Sequence, residues 1–225
     1  MTEDRLLLWA VVAALVIHLL LPGCGEPYEP MCSAGEQQYI IDGEPSVDRR
    51  STVYVQTVKG MCTGTIVGPH TVLTAAHCDG VTDISVDQVG WFEAVDELQH
   101  PEYNFPRHDL LLAYFDEPLP GPYAELGTLP LSCSVLIAQG YGQGSGGELH
   151  ERTVVDHTRT AGTIFAGEST CYGDSGGGLW AAGFHGDVLV GVASFGLNGD
   201  CIGGVNGWVD LTTDGHPEWL AENIR

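Results

Sequence analysis

At 225 residues and a formal charge of −22, from 30 acidic against 8 basic side chains, the chain lacks the clustered Lys and Arg that phosphate binding requires, so nucleic acid is not expected as a partner. The length suffices to bury a core, as one large all-β unit or as two small domains. Glycine is plentiful at 31 residues, and short Val, Thr and Ile runs are broken by turn residues, the pattern of a sandwich or barrel without a fixed repeat.

The first element in chain order is "LLLWAVVAALVIHLLLPGC", Leu6 to Cys24, an apolar run ending in small residues. Its length fits the apolar region of a secretory signal better than a spanning helix of roughly 20 apolar residues. "MTEDR" ahead of it lacks the usual positive charge, and an uncleaved signal anchor is the alternative. Either reading exports the rest of the chain. "LPGC" resembles the lipobox of bacterial lipoproteins, which implies lipidation at Cys24 and attachment to a membrane through the lipid or through the apolar segment. Seven cysteines are odd in number, and assigning Cys24 to lipid leaves six for pairing in an oxidising compartment.

"TGTIVGPHTVLTAAHC", Thr63 to Cys78, reads as a strand, a turn at Gly68-Pro69, a second strand, and then His77. Cys62 and Cys78 flank this hairpin, and a disulfide between them would hold the histidine's backbone. Closing a loop of that size is worth about 3 kcal/mol on the chain-entropy model. In "HPEYNFPRHDLLLAYF", His100 to Phe115, Asp109 follows a proline-broken loop and enters an apolar strand, where a buried carboxylate needs hydrogen-bonding partners. "CYGDSGGGLW", Cys171 to Trp180, places Ser175 in a glycine-rich stretch that by itself is an ordinary polar turn.

"TAAHC", "HPEYN…HDLLL" and "GDSGGGL", in that order, resemble the three catalytic blocks of the chymotrypsin-like (trypsin-fold) serine proteases, whose triad logic is general. "GYG" at Gly140 to Gly142, "SFG" at Ser194 to Gly196 and "PEWLAENI" near the end extend the resemblance from about Ile40 onward. It implies an all-β fold of two packed antiparallel six-stranded β-barrels with a short C-terminal helix from about Pro217. The implied division is a signal peptide or anchor over 1–23, a pro-segment or linker over 24–39 and a protease domain over 40–225, with barrels at about 40–123 and 124–213.

The resemblance further implies a catalytic triad of His77, Asp109 and Ser175, with an oxyanion hole from the amides of Gly173 and Ser175. The substrate would be a polypeptide and the product of the gene a zymogen, in which cleavage after Tyr39 frees Ile40 to pair with Asp174. Ser169, Ser194, Gly196 and Gly204 would line the specificity pocket, although "CIGGVNGWVDL" lets either Gly204 or Asn206 align at one wall, and Asp200 lies nearby. A neutral Ser169 favours large apolar or aromatic side chains over Lys and Arg. Cys171 and Cys201 match a family disulfide. Cys32 with Cys133 would tether the pro-segment, and Cys24 with Cys32 is the rival pairing.

A non-catalytic trypsin-fold binding or adhesion module is the competing class. Such members have usually lost a triad residue, and this chain keeps all three. No HExxH or CxxC pattern points to a metal, no cofactor is expected, and His70, His100 and His108 read as surface histidines on loops. A monomer is expected.

Overall fold

The computed structural model describes residues 43–46, 51–128, 135–142, 148–154, 157–167, 169–182, 186–197 and 204–225. They form two antiparallel sheets and one short helix. β1 (Glu44–Pro45) comes first in the chain. It is followed by β2 (Thr52–Thr57), β3 (Gly60–Gly68), β4 (Thr71–Thr74), β5 (Val81–Val86), β6 (Gly90–Glu93), β7 (Asp96–Gln99) and β8 (Leu111–Tyr114), which make the first sheet in the order β6-β5-β2-β3-β4-β8-β7.

Alternation drives the pairing. In β2, Val53 and Val55 point into the core at 1% and 0% exposure, as the period-2 pattern of "TVYVQT" dictates. The sheet counts seven strands rather than the expected six because one bent strand serves as two. β6 pairs with β5, β7 pairs with β8, and between them the Ala94 amide bonds Thr82 O at 2.9 Å while the Val95 amide bonds Tyr114 O at 2.8 Å. The bend therefore reaches both edges of the sheet and closes the barrel, which removes exposed edges.

The second sheet comprises β9 (Leu136–Gly140), β10 (His150–Val154), β11 (His157–Thr160), β12 (Thr163–Gly167), β13 (Gly178–Ala182), β14 (Asp187–Gly196) and β15 (Val205–Asp210). Its order is β1-β10-β9-β13-β14-β15-β12-β11. β10 and β11, successive in the chain, again stand at opposite ends of the barrel's own strands. β1, which precedes the first barrel in sequence, adds to β10 of the second.

The largest core cluster joins both sheets, packing Val53, Ile84 and Leu111 with Trp180, Val192 and Val209. Each such side chain contributes about 1.5–3 kcal/mol on burial. The helix α1 (His216–Asn223) starts after Gly215, at φ 77°, with Pro217 in its first turn, where a missing N–H costs nothing. Leu220 enters the shared core, and Tyr114 Oη of β8 donates to Asn223 O at 3.0 Å. The C-terminal helix is thereby fastened to the first barrel.

Candidate active site

β4 leads into a 3-10 turn at Ala76–Cys78 that carries His77. Cys78 is disulfide-bonded to Cys62 of β3, with Cα atoms 6.3 Å apart, so the turn is anchored from both sides. Asp109, just before β8, is fully buried. Its Oδ1 accepts the His77 backbone amide at 2.9 Å, and its Oδ2 lies 2.7 Å from His77 Nδ1. Ser194 of β14 donates its hydroxyl to the same Oδ2 at 2.5 Å. Three donors thus satisfy the buried charge, as a carboxylate removed from water requires. With Nδ1–H held by Asp109, the outer His77 nitrogen is left as an acceptor.

Ser175 stands on the loop before β13. Gly176 and Gly177 fix this loop through Gly176 N to Ala193 O and Gly177 N to Asp174 O, both 2.8 Å. Gly176 has φ 82°, and a Cβ there would overlap Thr74 Oγ1 and the Thr63 carbonyl, so no larger residue fits. The amides of Gly173 and Ser175 bond to no acceptor among the described residues, which leaves two donors for an oxyanion. His77 and Ser175 line one cleft of about 760 Å³. No hydrogen bond joins the Ser175 hydroxyl to the His77 ring.

Thr63 of β3 couples this loop to the first barrel. Its amide donates to Ser175 O at 2.8 Å, and its hydroxyl donates to Gly173 O at 2.8 Å while accepting the Tyr141 amide at 3.0 Å. Nothing in the sequence distinguishes Thr63 from other strand threonines, and the sequence reading passes it over. Its register position next to Cys62 is the only signal.

Asp174 is fully buried beneath the loop. It accepts the Gly142 amide at 2.8 Å and the Cys171 amide at 2.8 Å, and no cationic side chain pairs with it among the described residues. Burial pushes its carboxyl up to about 6, against the two backbone bonds that hold it down. A Cβ on Gly140 or Gly142 would collide with this carboxylate, which accounts for the "GYG" stretch.

On the pocket side, β14 and β15 place Gly196 opposite Asn206. Asn206, not Gly204, lines the cleft. Its Oδ1 accepts the Ser169 amide at 2.7 Å, the Ser169 hydroxyl at 3.2 Å and the Thr170 amide at 3.1 Å. Ser169, 1% exposed, therefore sits behind the Asn206 side chain instead of facing the cleft. Phe105 forms another wall, with its ring centre 5.8 Å from His77 and 6.4 Å from Phe195.

Ile40, Cys24, Cys32, Cys133, Asp200 and Cys201 lie outside the described residues, as does the N-terminal apolar run. Cys171 is disulfide-bonded. Among the described residues no helix is long and apolar enough to cross a membrane. The surface reading of His100 gives way to burial, and His108 is half-buried. His100 is 6% exposed and stacks on His108, and burial followed by its neighbours His216 and His108 pulls its pKa down to about 4.

No curated protein matches the chain. The family model described as Trypsin matches residues 40–209, which takes in both barrels, the 3-10 turn of His77 and the loop of Ser175. The chain thus has a trypsin-like serine protease fold and belongs to the trypsin family.

Proposed function

We propose that the protein is an exported serine endopeptidase, made as a zymogen, in which Ser175 attacks the scissile carbonyl of a polypeptide. The observation that carries this reading is the buried Asp109 carboxylate, hydrogen-bonded to both the ring and the backbone of His77 on the cleft that Ser175 lines. His77 takes the Ser175 proton as the bond to carbon forms, then hands it to the leaving amine, while Asp109 steadies the imidazolium. The Gly173 and Ser175 amides receive the oxyanion, and losing one such donor costs about 2.7–4 kcal/mol of transition-state stabilisation. Water then releases the acyl group by the reverse proton path. Export is supported by the disulfides, which persist in oxidising compartments.

Zymogen activation rests on Asp174. A buried carboxylate without a cation is costly, and the ammonium of a new N-terminus at Ile40 would pair with it and order the Gly173 peptide. The pocket wall shortened by Asn206 favours small side chains over the large aromatic ones that Ser169 alone suggests.

Labelling with a fluorophosphonate probe, before and after cleavage ahead of Ile40, tests the mechanism. Wild type labels strongly only after cleavage, and Ser175→Ala labels in neither state. A Ser175→Ala protein that still labels or cleaves peptides at the wild-type rate overturns the assignment.

A further inference from the structure

Three histidines outside the cleft meet on the far side of the loop that ends in Asp109. His100 follows β7, His108 directly precedes Asp109, and His216 opens α1. His100 and His216 are 6% and 1% exposed, and the three rings offer nitrogens that all lie within 4.8 Å of one another. The ring centres are 4.9 Å apart for His100 and His108, 5.1 Å for His108 and His216, and 5.4 Å for His100 and His216. Three imidazoles around one tetrahedral ion, each bound at roughly 2.0–2.1 Å, place their ring centres roughly 5 Å apart.

One of the rings already has the outer partner that ligating histidines use, and a second has a carboxylate close by. His216 Nδ1 donates to Asp210 O at 2.7 Å, which turns its Nε2 lone pair inward, and His108 Nδ1 lies 2.9 Å from that lone pair. On its other side, His108 Nε2 lies 3.8 Å from the Glu102 carboxylate. Metal-bound histidines hold their second N–H against just such a carbonyl or carboxylate. Trp219 covers the group, its ring centre 4.7 Å from that of His100. His108 keeps φ 50°, a left-handed conformation that costs a non-glycine residue free energy.

We propose that His100, His108 and His216 form a structural site for one divalent transition-metal ion of the zinc type, tying the Asp109 loop to the C-terminal helix. Imidazole nitrogens suit such ions, and water completes the tetrahedron. On binding, the proton that His108 shares with His216 moves from Nδ1 to Nε2, and the exposed Glu102 carboxylate closes from 3.8 Å to accept a hydrogen bond from it. His100 turns out of its near-parallel stack on His108, gives up the 3.2 Å bond from the Glu102 amide and keeps its proton on the ring nitrogen that faces away from the ion. Every ring stays a neutral imidazole, and the three lone pairs go to the ion. None of the three lines the cleft, so the ion acts on the position of the loop rather than on the reacting atoms.

The test uses the full chain, stripped with a chelator and titrated with Co²⁺ for spectroscopy and Zn²⁺ for thermal stability. Wild type binds one Co²⁺ with the visible absorption of a tetrahedral nitrogen site, and Zn²⁺ raises Tm. His108→Asn loses both effects while folding normally, since asparagine tolerates the left-handed conformation. Glu102→Gln weakens binding by about 10- to 100-fold. His77→Ala keeps both effects, which separates this site from any ion caught in the cleft. A wild-type chain that binds no Co²⁺, or a His108→Asn chain with an unchanged cobalt band and zinc-induced Tm shift, overturns the proposal.

Discussion

The two halves of the candidate site are built to different degrees of completion. On the first barrel, Asp109 has three donors and His77 is fixed by backbone, ring and disulfide. On the second, Asp174 is buried with no cation among the described residues, and the Ser175 hydroxyl makes no bond to His77. The contacts that hold the proposed base come from the first barrel and one serine of β14. The Ser175 loop holds its backbone by hydrogen bonds, and no cation among the described residues balances Asp174. Activity that waits on a proteolytic cut is physically easiest to install in the half whose electrostatics are unfinished.

Substitutions on either side separate the halves. Asp109→Asn keeps the shape but favours the wrong His77 tautomer, and kcat is expected to fall about 10⁴-fold after activation. Steady-state hydrolysis with an activated sample measures this, and a loss below tenfold would show that the base half needs no carboxylate. Asp174→Asn is expected to fold and to be cleaved ahead of Ile40 yet gain little activity, since the lost buried pair is worth about 3–5 kcal/mol. Before cleavage the same residue has the opposite sign. Its folded carboxyl titrates at about 6, above the ordinary 3.8, so the folded chain takes up a proton before the unfolded one. Relative to Asp174→Asn, the uncleaved wild type should therefore gain Tm as pH falls from above 6 towards 4. A constant difference across that range would mean that Asp174 is already paired.

Sequence made the first half more legible than the second. "TAAHC" and "HDLLL" read as a histidine just after a strand and a carboxylate entering a core because β4 and β8 are buried and regular. The bent β6–β7 strand that closes the barrel carries no such mark, since Ala94 and Val95 look like any strand residues. On the second barrel, "GDSGGGL" gave the loop. Whether Gly204 or Asn206 forms the wall depended on strand register, which β14 and β15 set by pairing Phe195 with Gly207 and Gly196 with Asn206. The histidine cluster was illegible because His216 joins His100 and His108 only through the docking of α1.

Asn206 offers a milder probe, confined to the second half. Asn206→Gly removes the side chain in front of Ser169 and should improve cleavage after large apolar residues by about 10- to 100-fold relative to small ones, in the range that a few buried methylene equivalents are worth. Profiling with a peptide library reads the ratio directly. A preference that does not move would place the limit on side-chain size elsewhere, with Thr170, Tyr172 and Phe195 among the other lining residues.

The smallest expected effect falls on the bridge between the halves. Thr63 is fully buried on the first barrel, and its hydroxyl both donates to Gly173 O and accepts the Tyr141 amide. Thr63→Val preserves the shape of the side chain and removes that hydroxyl, taking one partner from the half-buried Gly173 carbonyl and one from the buried Tyr141 amide. The cost is about 1–3 kcal/mol, and at roughly 2–4 °C per kcal/mol Tm should drop by several degrees. Because Gly173 also carries a proposed oxyanion donor in the adjoining peptide group, loosening its carbonyl should lower kcat too, with KM little changed, since an oxyanion contact is made chiefly in the transition state. Thr63→Ser keeps the hydroxyl and should retain kcat while losing only the packing of one methyl group. If Val and Ser variants show the same kcat, the first barrel supports the nucleophile loop through backbone bonds alone, such as Thr63 N to Ser175 O, and the two halves are less coupled than the side chain of Thr63 suggests.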